Sequence, residues 1–277
     1  MRKEHRTNKD ASRSTFQHPP AHPAYRDPGS PPGLFNIYGR RPVLEALKKG
    51  VVTGIEIARS AHGQIVDEII HTAEERRVPL RRVEDLPETE DVVSQGVRAA
   101  AKPPEVRGDL RPFLERLSKD PLPLFLMLDG VTDPHNFGAI LRTAEGAGVT
   151  AVIISERRQA PVNDTVVKAS AGAAYLVSVF QVANLAQTAR LLKTAGLWIV
   201  AATGEEGGTS AWEYDWNRPT VLIVGAEGMG VSTLLRRDAD DEVRIPMYGR
   251  IDSLNVSVAT GVLLFEAVRR RTKQDRK

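Results

Sequence analysis

Three short segments carry most of the residue types that could do chemistry. The first, Asp129 to Glu145, reads DGVTDPHNFGAILRTAE and holds an amide, Asn136, a guanidinium, Arg142, and a carboxylate, Glu145. Arg142 and Glu145 are three apart and share a helical face. If they converge with Asn136 at a helix start, the three groups could hold a phosphate or a sugar hydroxyl. The alternative is a capping asparagine beside a surface ion pair. The second segment, Gly225 to Ser232, reads GAEGMGVS. Its glycines would let the backbone approach a ligand closely, but it lacks the Gly-Lys-Ser/Thr ending of a P-loop and the Gly-x-Gly-x-x-Gly spacing. Glu227 inside it would repel a pyrophosphate, so a neutral or cationic ligand fits better, and a plain glycine-rich turn is the alternative. The third, Val243 to Val258, reads VRIPMYGRIDSLNVSV and crowds Ser253, Asn255 and Ser257 at the start of the last helix. One such residue caps a helix. Three, alternating with Leu254, Val256 and Val258, exceed that need and make ligand contact plausible.

These segments need a scaffold, and the apolar runs supply one. LFLML at 124–128, AVIIS at 151–155, LWIVA at 197–201 and VLIVG at 221–225 are short, continuous and bounded by turn residues. That pattern predicts strands buried on both faces of a parallel sheet. Helical stretches at 138–147, 184–195 and 256–271 lie between or after them, so residues 121–277 read as an α/β domain with a mostly parallel sheet. Ligands gather at the carboxyl ends of such strands, which places the loops after Leu128, Val224 and Ile245 together. Residues 34–107 read as a smaller α/β unit. Its helix at 40–49 puts Val43, Leu44 and Leu47 on one face, strands run over 54–58 and 78–83, and a second helix runs over 66–76. Residues 108–120 read as a linker carrying a short helix.

Composition narrows the partners and the compartment. The chain has 277 residues, 41% hydrophobic and 26% charged, with a net charge of +3 and no cysteine. Disulfides, thiolate chemistry and cysteine-ligated metals are therefore excluded. No apolar run approaches the roughly 20 residues that cross a bilayer, and the polar start lacks a secretory signal, so a cytoplasmic protein without membrane partners is expected. Residues 1–33 hold 6 basic and 3 acidic side chains, whereas the remainder holds 32 of each. That proline-rich segment contains no Ile, Leu or Val; it reads as a disordered basic tail, either drawn weakly to a polyanion such as RNA or simply solvated. Outside it only His62, His71 and His135 remain, and their spacing suggests no shared metal site. A dehydrogenase would carry a glycine-rich turn after the first strand of its βαβ unit; here that turn reads DGVTDPHN.

Taken together and in order, DGVTDPHNFGAILRTAEGAGV, VLIVGAEGMGVS and RIPMYGRIDSLNVSVATGVLLFEAVRRR resemble the three motifs of the SpoU/TrmH family of RNA ribose 2′-O-methyltransferases. Similarity spans residues 121–272, and residues 34–107, with GRRPVLEAL and QGVRAA, look like the ribosomal-protein-like RNA-binding domain that precedes it in many members. The resemblance implies a C-terminal deep trefoil knot, a homodimer with sites near the subunit interface, S-adenosylmethionine as methyl donor and no metal. Its likeness to bacterial ribosomal RNA enzymes of that family implies a guanosine ribose of 23S ribosomal RNA as target; a transfer RNA ribose, or a non-catalytic RNA-binding module, are the alternatives. By motif position the main chain at Gly225, Ile245 and Leu254 would hold the adenosyl moiety, while Glu227, Ser253, Asn255 and Ser257 would shape the pocket. Arg142, with Asn136 alongside, would stabilise the developing oxyanion or accept its proton. Glu145 and Lys168 would support RNA contact.

Overall fold

The computed structural model describes residues 33–86, 93–117, 121–204 and 207–274. All of the tail expected to be disordered, save Gly33, lies outside them. No helix among the described residues is long and apolar enough to cross a membrane.

The smaller unit begins with β1 (Phe35–Tyr38), α1 (Arg40–Lys48), β2 (Val52–Ala58) and α2 (Gln64–Glu75), followed by β3 (Leu80–Val83) and β4 (Val97–Ala101). Its strands lie in the order β1-β4-β2-β3, with β4 antiparallel to both neighbours and β2 parallel to β3. Helix α1 buries Val43, Leu44 and Leu47, and α2 buries Val66, Ile69 and Ala73. Strands β1 and β4 were not legible as strands. β4 reads VRAAA, a composition with weak strand preference that is overridden by pairing on both sides.

The chain then passes through β5 (Val106–Arg107) and α3 (Arg111–Arg116) into the larger unit. This contains β6 (Leu124–Asp129), α4 (Pro134–Gly146), β7 (Ala151–Ser155), α5 (Asp164–Ala169), a 3-10 turn at Ala173–Tyr175 and β8 (Val179–Val182). It continues with α6 (Leu185–Thr194), β9 (Trp198–Ala202), β10 (Thr209–Ser210) and β11 (Thr220–Gly225). Helix α7 (Thr233–Asp238), β12 (Asp241–Arg244) and α8 (Val256–Gln274) complete it. Eight parallel strands form one sheet in the order β10-β12-β9-β11-β6-β7-β8-β5. Along β6, Leu124, Leu126 and Leu128 enter one core cluster while Phe125 and Met127 enter the other. Both faces are covered, which is why the run is apolar at every position.

The order of strands fixes where a ligand belongs. From β6 the chain steps outward through β7 and β8, then crosses to β9 and returns to insert β11 between β9 and β6. The strand order therefore reverses between β6 and β11, and the crevice outside the carboxyl ends of those two strands is the binding position of open α/β sheets.

The segment read as a linker is packed. Leu110 is buried, and the Phe113 ring lies 5.0 Å from that of Phe180 and 6.3 Å from that of Phe125. β5 extends the large sheet beside β8. The two units also meet directly: the Tyr175 hydroxyl donates to the Lys102 carbonyl at 3.1 Å, and a Cβ on Gly172 would lie 3.0 Å from both Glu45 and Pro42. One continuous cluster of buried side chains runs from Ile37 in β1 to Ala267 in α8.

Candidate active site

The first loop differs from its sequence reading at one point. Helix α4 starts at Pro134, four residues before the Gly138 expected to open it. Asp133 is the cap, its side chain accepting from the His135 amide at 3.0 Å, and Pro134 occupies the first turn. Asp-Pro reads as a tight turn, but an acid followed by proline is equally a helix start, because proline's missing N–H and fixed φ suit the first helical position. Asn136 is thus a helical residue and not a loop residue or cap. Gly138 lies inside the helix, where a Cβ would come within 2.5 Å of the Ala169 Cβ and 2.9 Å of the Val166 carbonyl oxygen. Only glycine permits this crossing of α4 over α5, and the crossing fixes the direction in which Asn136 points.

The second loop closes on itself. Ala226 and Gly230 form an isolated bridge, with the Gly230 amide 2.9 Å from the Ala226 carbonyl. A Cβ on Gly225 would fall 1.9 Å from the Gly230 carbonyl carbon and 2.2 Å from the Val231 amide, so any other residue would force the turn open. The third loop ends at Asn255, whose Oδ1 accepts from the amide of Ser257 at 3.0 Å and from its hydroxyl at 2.6 Å. Asn255 is therefore a cap of α8, as the simplest reading of that segment held.

It is also the hub of the site. Its Nδ2 donates to Asn136 Oδ1 at 3.0 Å and to Glu227 Oε1. The same Glu227 oxygen accepts from Asn136 Nδ2 at 3.4 Å and from the Val256 amide at 3.3 Å. Asp129, at the end of β6, accepts from the Ser232 amide at 2.8 Å and ties the first loop to the second. Thus one residue from each of the three segments, Asn136, Glu227 and Asn255, meets in a single polar cluster. Glu227 has a local reason to be acidic: its carboxylate sits against the first amide of α8, where a helix favours negative charge.

Beside this cluster opens a cleft of about 630 Å³, within the usual range for small-molecule sites. Gly225, Ile245 and Leu254 line it, as do Glu227, Ser253 and Asn255. Val224, Val256 and Leu263 give it an apolar wall, Asp252 and Glu227 put two carboxylates on its lining, and the one guanidinium there, Arg236, is paired with Glu242 at 2.9 Å. An adenosyl group carrying a positively charged sulfur fits such a lining: apolar wall, main-chain polar atoms and acid. Thr203 and Gly204, after β9, form a further wall that the sequence reading missed. Their signal was present, since AATG follows a buried strand as GAEG does.

The remaining candidates lie outside the cleft. Arg142 and Glu145 are exposed on α4 and are not paired with each other; Arg142 has no acceptor among the described residues. Six helical positions separate Arg142 from Asn136, about 9 Å along the axis and about 120° around it, so the two do not share a face as a loop placement of Asn136 would allow. Lys168 is half-buried on α5, and Ser257 lies in the first turn of α8.

Comparison with known proteins bears on the same segments. Residues 123–265 match the model of the SpoU rRNA Methylase family, and residues 36–107 match that for RNA 2′-O ribose methyltransferase substrate binding. The chain is 45% identical over 220 residues to the 23S rRNA (guanosine-2′-O-)-methyltransferase RlmB of Pseudomonas aeruginosa, covering 78% of this chain and 88% of that one. It is 43% identical over 209 residues to the RlmB of Escherichia coli, covering 74% and 84%. Among solved structures, the SpoU methyltransferase AviRb from Streptomyces viridochromogenes in complex with AdoMet aligns with a TM-score of 0.70 at 25% identity, over 87% of this chain and 92% of that one. An AdoMet-bound rRNA methyltransferase from Sinorhizobium meliloti aligns at 0.65 with 26% identity, over 86% and 87%.

Proposed function

The chain belongs to the SpoU rRNA methylase family, and from that premise we propose that it methylates the 2′-hydroxyl of a guanosine ribose in 23S ribosomal RNA. It is an S-adenosylmethionine-dependent RNA ribose methyltransferase, and its relatives with guanosine specificity cover most of its length. The observation that carries the site assignment is the meeting of Asn136 with Glu227 and Asn255, two residues that line one cleft.

S-adenosylmethionine, when bound, supplies a methyl group activated by a positive sulfur. Gly225, Ile245 and Leu254 hold the donor through their main chain, and the apolar wall takes the adenine. Asn136, Glu227 and Asn255 act as positioning residues that lock the three loops into one geometry, so that the ribose oxygen meets the methyl carbon in line. Transfer would join the ribose oxygen to the methyl carbon as the S–C bond breaks, leaving S-adenosylhomocysteine, with the hydroxyl proton passing to solvent water. Arg142, exposed and without an acceptor among the described residues, stabilises the oxygen as negative charge grows on it; a guanidinium is too weak a base to be the better proton acceptor. Glu145, one turn further on, and Lys168, on the helix packed against α4, support the RNA. The C-terminal segment is read as a deep trefoil knot. The working form is read as a cytoplasmic homodimer, supported by an exposed apolar stripe on α8 that includes Val258 and Phe265, each about half exposed.

The direct test is to incubate the purified protein with labelled donor and unmodified 23S and transfer RNA, then map 2′-O-methyl sites. One methylated guanosine in 23S RNA is expected. Methylation confined to transfer RNA would reassign the substrate, and donor binding without transfer to either RNA would leave only a binding module.

A further inference from the structure

We propose that the turn after β7 grips the phosphodiester backbone of the RNA beside the target nucleotide, through Arg157 and Arg158. This rests on the methyltransferase reading above and adds a contact to that site.

The turn reads ERRQAPVN, and both guanidiniums are exposed with no hydrogen bond or ion pair to any described residue. They share this with Arg142 on α4, whereas many other arginines are engaged. Arg81 and Arg98 are held by Glu56, Arg190 by Asp238, Arg236 by Glu242, and Arg269 by Glu266. The backbone that carries the free pair is nevertheless fixed. The Ala160 amide donates to the Val131 carbonyl at 2.9 Å, and Gln159 Oε1 accepts from the Val131 amide at 3.2 Å. Ser155 Oγ bonds the Arg157 main chain, and a Cβ on Gly130 would lie 3.7 Å from the Arg158 carbonyl oxygen. The turn is thereby clamped onto the loop that leads from Asp129 to Asn136. Arg158 itself is held at φ 54°, a left-handed conformation that is uncommon for a non-glycine residue and persists only where surroundings impose it.

Position adds the rest. β7 is the second strand from β11 across β6, so the turn stands about 10 Å from the glycine loop, two strand spacings along the same rim. In the other direction the connection runs into α5 and the 3-10 turn, the elements on which α1 and β1 of the smaller unit rest. Two unpaired, pre-placed guanidiniums on a rim between the donor cleft and the substrate-binding unit match the fork geometry of phosphate oxygens.

The test is the salt dependence of RNA binding by the full chain. A variant with Arg157→Gln and Arg158→Asn, asparagine being tolerated at positive φ, removes both charges. The slope of log affinity against log salt should fall in magnitude by about 1.4–1.8, the loss of two phosphate contacts. Between 50 and 200 mM salt, wild-type affinity should accordingly drop roughly 7- to 12-fold more than that of the variant. Donor affinity should not change, and the rate at saturating RNA should stay within about twofold. Arg157→Gln alone, at a residue with ordinary φ, should give about half the slope change, and the double lysine variant should restore it. An unchanged slope in the single and double neutral variants overturns the proposal. If the wild type binds RNA with the expected slope but transfers no methyl group, the functional reading fails and this contact stands; if transfer proceeds and the slope is unmoved, only this contact fails.

Discussion

Asn255 shows why an amide, and neither a carboxylate nor an aliphatic chain, stands at the centre of the site. Its oxygen caps α8 and its nitrogen donates to Asn136 and Glu227. An aspartate there would keep the cap but lose both donated bonds and set a second negative charge against Glu227. An alanine would lose the cap, typically about 1 kcal/mol, and leave the Glu227 carboxylate short of a donor. The arginine of the first motif is the opposite case, a side chain the fold leaves unengaged. Arg142 lies along α4 from the cluster without an acceptor among the described residues, so its removal should cost little stability and much rate. Arg142→Ala is expected to lower single-turnover methyl transfer by roughly 10²–10³-fold, the usual loss for one oxyanion donor, with donor affinity measured by calorimetry unchanged. Arg142→Lys, which keeps charge but not the fork, should recover part of that rate. Near-normal turnover in the alanine variant would take Arg142 out of the chemistry.

Among elements, the small sheet shows what register adds to composition. Arg81 on β3 and Arg98 on β4 sit directly opposite Glu56 on β2, and both bond its carboxylate, Arg81 Nε at 2.9 Å and Arg98 Nε at 2.7 Å. Burial alone would raise the Glu56 pKa, but the hydrogen bonds and charges of Arg81 and Arg98 outweigh it and hold the carboxyl below its ordinary value of 4.5. Because the folded value is the lower one, the stabilisation is fully present above about pH 4.5 and is lost as pH falls through the folded pKa. Glu56→Gln should therefore cost roughly 1–3 kcal/mol at pH 7, by urea unfolding, and the gap to wild type should narrow as pH drops below 4.5. A gap that stays constant with pH would show that the ion triad contributes nothing. No sequence pattern announced this triad, since its members are 25 and 42 positions from Glu56 and only strand pairing brings them together. The four long strands were legible because burial on both faces leaves no polar position in LFLML or VLIVG. The alanine-rich β4 and the start of α4 were not, the one because its neighbours define it, the other because Asp-Pro serves a turn and a helix cap equally well. The site was legible as three loops at one end of a sheet; that Asn136, Glu227 and Asn255 bond one another was not, because it depends on the strand order that puts β11 beside β6.

At the scale of the whole molecule, one surface stays unaccounted for by the single chain. Helix α8 buries Leu263, Leu264 and Ala267 against the large sheet, yet Val258 and Phe265 on its other side are 52% and 51% exposed. Positions 258, 262 and 265 repeat at helical spacing and form a stripe. The Phe265 ring reaches toward α4, its Cζ 3.9 Å from where a Gly146 Cβ would be, so the stripe borders the helix that carries Arg142 and Glu145. Burying two such side chains is worth about 1.5–3 kcal/mol each, and a second copy of the same stripe, related by a two-fold axis, would cover both at once. A homodimer built this way sets α4 and the start of α8 at the subunit boundary. Phe265→Glu should then convert a dimer into a monomer by sedimentation at micromolar concentration, because two carboxylates would be buried face to face across the axis. The monomer should remain folded, since Phe265 is half exposed in the isolated chain, and methyl transfer should fall together with the dimer fraction as protein is diluted. A wild-type chain that sediments as a monomer while turning over, or a Phe265→Glu chain that stays dimeric, would place the subunit contact elsewhere and free α8 of that role.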